Sequence, residues 1–216
     1  MEDIWFKAFE KNMNPVFTKE DFEKYKKAAK NSLHFYNKYL KKGAKILELG
    51  CGLGYTSVPL STFGLNITGI DNGRKVVQAA RKNAVKFGKN LVIKYGDVFK
   101  INEIFTQDSF DACLSGGLLE HFNKKQIEEL IRKQLLIAPL VFASMPVKSK
   151  ATLKAYGIKE KETEGHTDSQ GIYRNFWDKS TWINDILKDF NIVEYFVEKA
   201  APSLGGFEEI MIVIKR

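Results

Sequence analysis

The chain has 216 residues, 44% of them hydrophobic and 28% charged, which suits one well-buried α/β domain with modest additions and excludes a disordered or fibrous chain. No apolar run approaches the ~20 residues that span a bilayer, so no membrane role is expected, and two cysteines, Cys51 and Cys113, make neither a metal set nor a disulfide framework. The net charge of +8 is carried almost wholly by lysine, with arginine only at Arg74, Arg81, Arg132, Arg174 and Arg216; bidentate phosphate and base-reading sites favour arginine, so the charge reads as a solvated surface, with a nucleic-acid partner open but not favoured.

Residues 1–42 precede the first strand and read as a helical cap. An aromatic-rich piece, Trp5, Phe6, Phe9 and Phe17, comes first, and its residues read as packing groups. Met1 to Lys7 lack the basic-then-apolar order of a secretory leader, which points to the cytoplasm. Thr18 and Asp21 form a capping-box pattern, and Phe22, Tyr25, Ala29, Leu33, Tyr36 and Leu40 then recur on one helical face. Lys41, Lys42 and Gly43 suit the helix end. His34 on this helix reads as structural or exposed.

Alternating strands and helices follow from residue 43. Ala44 to Leu49 is the first strand, and Tyr55 to Phe63 a helix that Pro59 is expected to kink. Leu65 to Ile70 is the second strand. Asn72 is expected to cap the next helix, whose stripe is Val76, Val77, Ala80 and Ala84. Leu91 to Tyr95 and Phe110 to Leu114 are strands three and four. Asn123 and Gln126 open a helix, and Leu140 to Met145 is strand five. This alternation predicts a doubly wound, mostly parallel sheet. From 147 to 176 the pattern lapses into a polar stretch with Gly157, Gly165 and Gly171, long enough to be either a lid over an acceptor or a plain surface insertion. Asp178 to Leu187 is the last helix, and Ile192 to Val197 and Glu209 to Ile214 are the last strands, with a loop-like stretch at 201–206.

The most informative stretch is Ile46-Leu47-Glu48-Leu49-Gly50-Cys51-Gly52-Leu53-Gly54, with Asp71 closing the second strand. A buried strand runs into a glycine turn where backbone must approach a ligand closely. In a doubly wound sheet this turn and Asp71 face one crevice, and an ionised carboxylate there suits a ribose diol.

These residues resemble the class I S-adenosylmethionine-dependent methyltransferases. Glu48, Gly50, Gly52 and Gly54 match the family's first motif, and Asp71 the second. Asp97 in Tyr95-Gly96-Asp97-Val98 matches the third. Phe110 to Ser115, leading to Leu119-Glu120-His121-Phe122, matches the fourth. The resemblance covers roughly residues 43–145 well. It implies a seven-stranded sheet over 43–216 with a C-terminal antiparallel strand, S-adenosylmethionine as cofactor and S-adenosylhomocysteine as product. A dinucleotide fold prefers its third glycine one residue later and an apolar strand end where Glu48 stands.

The resemblance also assigns roles. Gly50, Gly52 and Gly54 approach the methionine part of the cofactor, and Glu48 orients the loop. Asp71 takes the ribose hydroxyls, with Asn72 beside it, and Asp97 with Val98 takes the adenine edge. Ser115 and the glycines after it supply acceptors beside the sulfonium. His121 and Glu120 are the candidate catalytic groups, and Arg174 the candidate acceptor contact. Family members also close N-terminal helices over the ligand. The strand-four loop lacks the Asn/Asp-Pro-Pro-aromatic sequence that accompanies methylation of planar nitrogens, and is closer to the small-molecule branch. The expected function is methyl transfer to a small-molecule acceptor. The alternatives are an RNA or protein methyltransferase, a non-catalytic cofactor-binding protein, and a dinucleotide-dependent oxidoreductase. No metal is expected, and nothing in the sequence sets the oligomeric state.

Overall fold

The computed structural model describes residues 4–167, 171–200 and 206–216. Seven strands form one sheet: β1 (Lys45–Leu49), β2 (Asn66–Asp71), β3 (Leu91–Tyr95), β4 (Ala112–Gly116), β5 (Leu140–Pro146), and two late strands, Ile192–Lys199 and Glu208–Lys215. A small hairpin, β6 (His166–Thr167) with β7 (Tyr173–Arg174), precedes those two, which are therefore β8 and β9. The sheet order is β3-β2-β1-β4-β5-β9-β8, and β9 runs antiparallel to both β5 and β8. The order reverses between β1 and β4, and the carboxyl ends of those strands open the crevice where such sheets bind ligands.

Both faces are covered, which is why β1 is buried at every position from Ile46 to Leu49. Helix α2 (Lys19–Tyr39) lies on one face and packs Phe35 and Tyr36 against Ile46, Leu114 and Phe142. Its capping box forms as the sequence indicates, with Thr18 and Asp21 each accepting the other's backbone N–H. Phe35, one position off the predicted stripe, is buried as well as Tyr36 and meets Phe142 at 5.6 Å and Phe196 at 5.0 Å between centroids. On the other face, α6 (Lys124–Ile137) buries Ile127, Leu130 and Ile131 against Leu47, Val141 and Ile212.

Several local expectations are corrected. Helix α3 spans only Ser57–Ser61, so Pro59 sits in its first turn, where a missing N–H costs nothing, and breaks no hydrogen bond. Helix α4 (Arg74–Phe87) starts from Gly73, whose N–H is held by Asp71, so Asn72 does not cap it. After the short α5 (Ile101–Ile104) and α6, the stretch from 147 is not irregular. It forms α7 (Lys150–Tyr156), capped by Ser149 and stopped by Gly157 at φ +66°, and then the β6–β7 hairpin. The last helix is one α turn, Lys179–Thr181, that widens into a π turn over Trp182–Ile186, with Leu187 N–H donating to Trp182 O. The predicted 201–206 loop lies outside the described residues except for Gly206. Both cysteines are free and buried.

Candidate active site

A cavity of about 620 Å³ opens at the carboxyl ends of β1, β2 and β4, within the roughly 300–1,000 Å³ of small-molecule sites. Gly50 and Gly52 form one wall, both at positive φ (+63° and +51°), a region open to glycine and strained for other residues. A Cβ on Gly50 would lie 2.7 Å from Leu118 Cδ1, and one on Gly52 would lie 3.4 Å from Phe9 Cζ. Backbone here is thus closed in by the loop after β4 and by helix α1 (Ile4–Asn12).

Asp71 fixes this wall. Its Oδ2 accepts from Gly52 N–H at 3.0 Å, and its Oδ1 accepts from Gly73 N–H at 2.8 Å. Asn72 and Val98 stand beside it on the cavity. Glu48 lies at the base, 4% exposed, and accepts the Ser57 hydroxyl. Burial, reinforced by the Asp71 charge, pushes the Glu48 carboxyl up to about 8, against hydrogen bonds from Ser57 and Thr56 that pull the other way.

The opposite wall is the single turn Leu119–His121 after β4, the β6–β7 hairpin and Tyr156 of α7. Glu120 is 3% exposed, and its Oε2 has no hydrogen-bond partner. Burial pushes its carboxyl up to about 7, while the Arg174 charge lowers it. His121 Nδ1 lies 2.7 Å from Tyr173 O, so this nitrogen carries the proton. Nε2 then sits 3.7 Å from Glu120 Oε1. Arg174 lies on the cavity and over the Tyr156 ring, 5.7 Å from its centroid. Trp5 roofs the site, edge to face with the His121 ring at 4.7 Å.

Three expected contacts stand elsewhere. Gly54 is off the cavity and turns the chain into α3, with its N–H donating to Cys51 O. Asp97 is also off the cavity: its side chain accepts Phe99 N–H and caps the turn that presents Val98. Ser115 is fully buried in β4, and Gly116 and Gly117 reach the cavity instead.

Two buried asparagines were not read from the sequence. Asn175 clamps the hairpin to the Leu119–His121 turn: its Nδ2 donates to Phe122 O, its backbone N–H donates to Glu120 O, and its Oδ1 accepts from Gly165 N–H and the Tyr173 hydroxyl. Asn83 ties the start of the chain to the glycine loop, accepting Phe17 N–H and donating to Pro15 O and Leu53 O. Both bind partners distant in sequence, so no local pattern marks them. Tyr156 was legible in principle, because Ser149 and Gly157 are ordinary helix start and stop signals.

Among the described residues, no group of three or more His, Cys, Asp or Glu could hold a metal ion, and no helix is long and apolar enough to cross a membrane.

An open α/β sheet with a glycine turn and a strand-end carboxylate at its switch point defines a small-molecule or nucleotide-binding domain. The methyltransferase domain family matches residues 40–189, and the chain belongs to it, as a class I, Rossmann-like, S-adenosylmethionine-dependent methyltransferase. The ribosomal protein L11 methyltransferase of Thermotoga petrophila is 26% identical over 140 residues, 62% of this chain and 51% of that protein. The chain thus spans about half the length of the curated relatives it matches. Among solved structures, an S-adenosylmethionine-dependent methyltransferase from Methanosarcina mazei superposes with a TM-score of 0.68 at 20% identity, covering 84% of this chain and 96% of that one. The magnesium protoporphyrin IX methyltransferase of Synechocystis, with bound S-adenosylhomocysteine, does so with a TM-score of 0.62 at 16% identity, over 90% and 83%. These structures establish the fold.

Proposed function

We propose that the protein transfers the methyl group of S-adenosylmethionine to a small-molecule acceptor by direct displacement. The observation that carries this reading is the division of one roofed cavity into two walls. The glycine turn and Asp71 form one, and Glu120, His121 and Arg174 form the other.

The residues present fit the cofactor. Gly50 leaves no room for a side chain, Gly52 holds a positive φ that other residues adopt only with strain, and their backbone can lie against the methionine part. Asp71, held by two amides, is oriented to accept the ribose hydroxyls, with Asn72 alongside. Val98 offers an apolar face to the adenine, and Asp97 acts by holding that turn. Gly116 and Gly117, which follow Ser115, supply backbone acceptors. Glu48 acts from below, by tying β1 to the start of α3. Bound S-adenosylmethionine supplies an electrophilic methyl on a sulfonium whose thioether leaves uncharged, so no side chain is needed as an acid.

The protein's main task is alignment and exclusion of water. Trp5 and Phe9 serve as the roof, and residues 1–42 as a cap over the domain at 43–216. The segment 147–176 provides the acceptor wall, where Arg174 meets an anionic group of the acceptor. A roofed cavity of this size suits a metabolite better than a folded macromolecule. The L11 relative and the charge of +8 support the runner-up, a protein or RNA acceptor. Incubation with methyl-labelled cofactor, a metabolite mixture, RNA and ribosomal protein, followed by separation by size, tests the choice. Label in small products is expected, and label confined to macromolecules overturns it.

A further inference from the structure

The net charge of the chain is concentrated in one place. Of its 34 basic residues, seven fall between Asn72 and Gly96: Arg74, Lys75, Arg81, Lys82, Lys86, Lys89 and Lys94. None of its 26 acidic residues does, so the other 27 basic residues nearly balance the acids, and this segment carries almost the whole excess of +8. The segment is α4 and β3, at the edge of the sheet farthest from β8.

Helix geometry sorts these residues. Lys75, Lys82, Lys86 and Lys89 recur at intervals of seven, four and three, which sets them in one exposed stripe about 20 Å long. Arg74 and Arg81 turn toward β3 instead: Arg74 stands 5.2 Å from the centroid of the Tyr95 ring, and Arg81 Nε donates to Ile93 O. Lys94 lies over Phe105. Among the described residues, none of the seven forms an ion pair, whereas on α6 Lys124 pairs with Asp185, Arg132 with Glu128 and Lys133 with Glu129. Like charges four apart on a helix, as Lys82 and Lys86 are, repel each other. The stripe therefore gains from an anion supplied from outside the chain.

We infer that the Lys75–Lys89 stripe of α4, with the Tyr95 ring at its Arg74 end, is a docking surface for single-stranded RNA. Lysines meet phosphates as point charges and read no bases, so the binding is independent of sequence. Tyr95 is 50% exposed and gives an unpaired base a ring to stack on, which a duplex would withhold. Gln78 within the stripe and Asn90 at its end are exposed amides that can bond ribose 2′-hydroxyls, which DNA lacks. A lipid surface fits less well, because Val76, Val77 and Ala80 of α4 are buried and cannot enter a membrane. An acidic protein segment would match the charge but bring no base to Tyr95. The surface lies on the β3 side of the cavity, across from Glu120 and Arg174, so the inference stands whichever acceptor is methylated.

Fluorescence anisotropy of the full chain with a labelled mixed-sequence RNA of about 16 nucleotides tests it. Binding that weakens with salt is expected, log affinity falling by about 0.7 per phosphate contact for each decade of salt. Lys75 and Lys86 also lie over Phe6 and Phe87, so Lys82 and Lys89 are the residues to change. Lys82→Gln combined with Lys89→Gln should lower that slope by about 1.4. Lys124→Gln combined with Arg132→Gln, an equal change of charge on α6, should leave it as in the wild type. Tyr95→Ala should weaken binding about fivefold or more. Urea midpoints identify any variant that is unfolded, and Lys82→Glu alone carries the comparison if the double variant is. Absence of RNA binding at about 0.1 M salt, an unchanged slope in the Lys82 and Lys89 variant, or an equal drop in the α6 variant overturns the assignment. So does equal affinity for DNA of the same sequence, for polyglutamate or for phosphatidylserine vesicles. Titration with S-adenosylmethionine is read separately, and its failure would overturn the methyl-transfer reading alone.

Discussion

Asp71 Oδ2 accepts the backbone N–H of Gly52 at 3.0 Å, so the carboxylate at the end of one strand holds the glycine turn at the end of its neighbour. The side chain proposed to bind the cofactor ribose therefore also shapes the wall proposed for the methionine part.

Asp71→Ala should weaken S-adenosylhomocysteine binding by roughly 2–3 kcal/mol, as expected for loss of a charged acceptor. Asp71→Asn should cost less, because its carbonyl keeps one of the two amide bonds while its NH₂ faces the other N–H. Isothermal titration of the three proteins checks the order. Wild-type affinity in Asp71→Ala would contradict the role given to this carboxylate.

Gly52→Ala should destabilise the fold by about 1–2 kcal/mol, the cost of an L residue in the left-handed region. Its new methyl would meet Phe9 at an ordinary 3.4 Å. Gly50→Ala should cost more, since its methyl would stand 2.7 Å from Leu118 Cδ1 and push that side chain into the cavity. Denaturant midpoints measure both, and equal effects would contradict the close approach of the β4 loop.

Asn175→Ala should free the hairpin from the turn that carries Glu120 and His121. The leaving of Phe122 O and Gly165 N–H without this partner should cost about 1–3 kcal/mol for each buried group left unpaired. Hydrogen exchange at Gly165 and Tyr173–Asn175 should be slow in the wild type and fast in the variant. Helix α1, which buries only Ala8, should exchange quickly in the free protein and slow when S-adenosylhomocysteine fills the cavity beneath Trp5 and Phe9. An α1 already protected without ligand would make it fixed scaffold instead of a cover.

The fold and the glycine wall of the cavity are legible because their signals are local. A buried strand, alternating glycines and a strand-end Asp71 each occupy a few consecutive residues. The opposite wall of the cavity is legible only in part. Glu120 and His121 stand out as residue types just past a strand end and Arg174 as the one arginine before the last helix, but their arrangement depends on Asn175, whose partners lie up to 55 positions away. Asn72 does not cap its helix, and Asp97 stands off the cavity, for a related reason. Asp71 reaches forward to Gly73 and displaces Asn72 as the helix-starting group, and Asp97 spends its side chain on the turn after β3.

Stability should fall as pH rises from about 5 to 8. The carboxyls of Glu48, Glu120 and Glu209 are raised by burial to about 8, 7 and 7, from 4.5 in the unfolded chain. Over this range the folded state holds more protons than the unfolded state, so the slope of unfolding free energy against pH is negative. Their contribution is full below the unfolded value and is lost as pH passes the folded ones. Chemical denaturation across this range checks it, and Glu48→Gln should flatten the upper part of the slope. A slope that rises with pH would contradict the buried, proton-retaining state of these groups.

The β1–β2 wall is proposed as an S-adenosylmethionine site. Isothermal titration of the full chain with S-adenosylmethionine, S-adenosylhomocysteine and NAD tests it most directly. One-to-one binding of the first two and no heat with NAD are expected. Binding of NAD with no response to either S-adenosyl compound would contradict it.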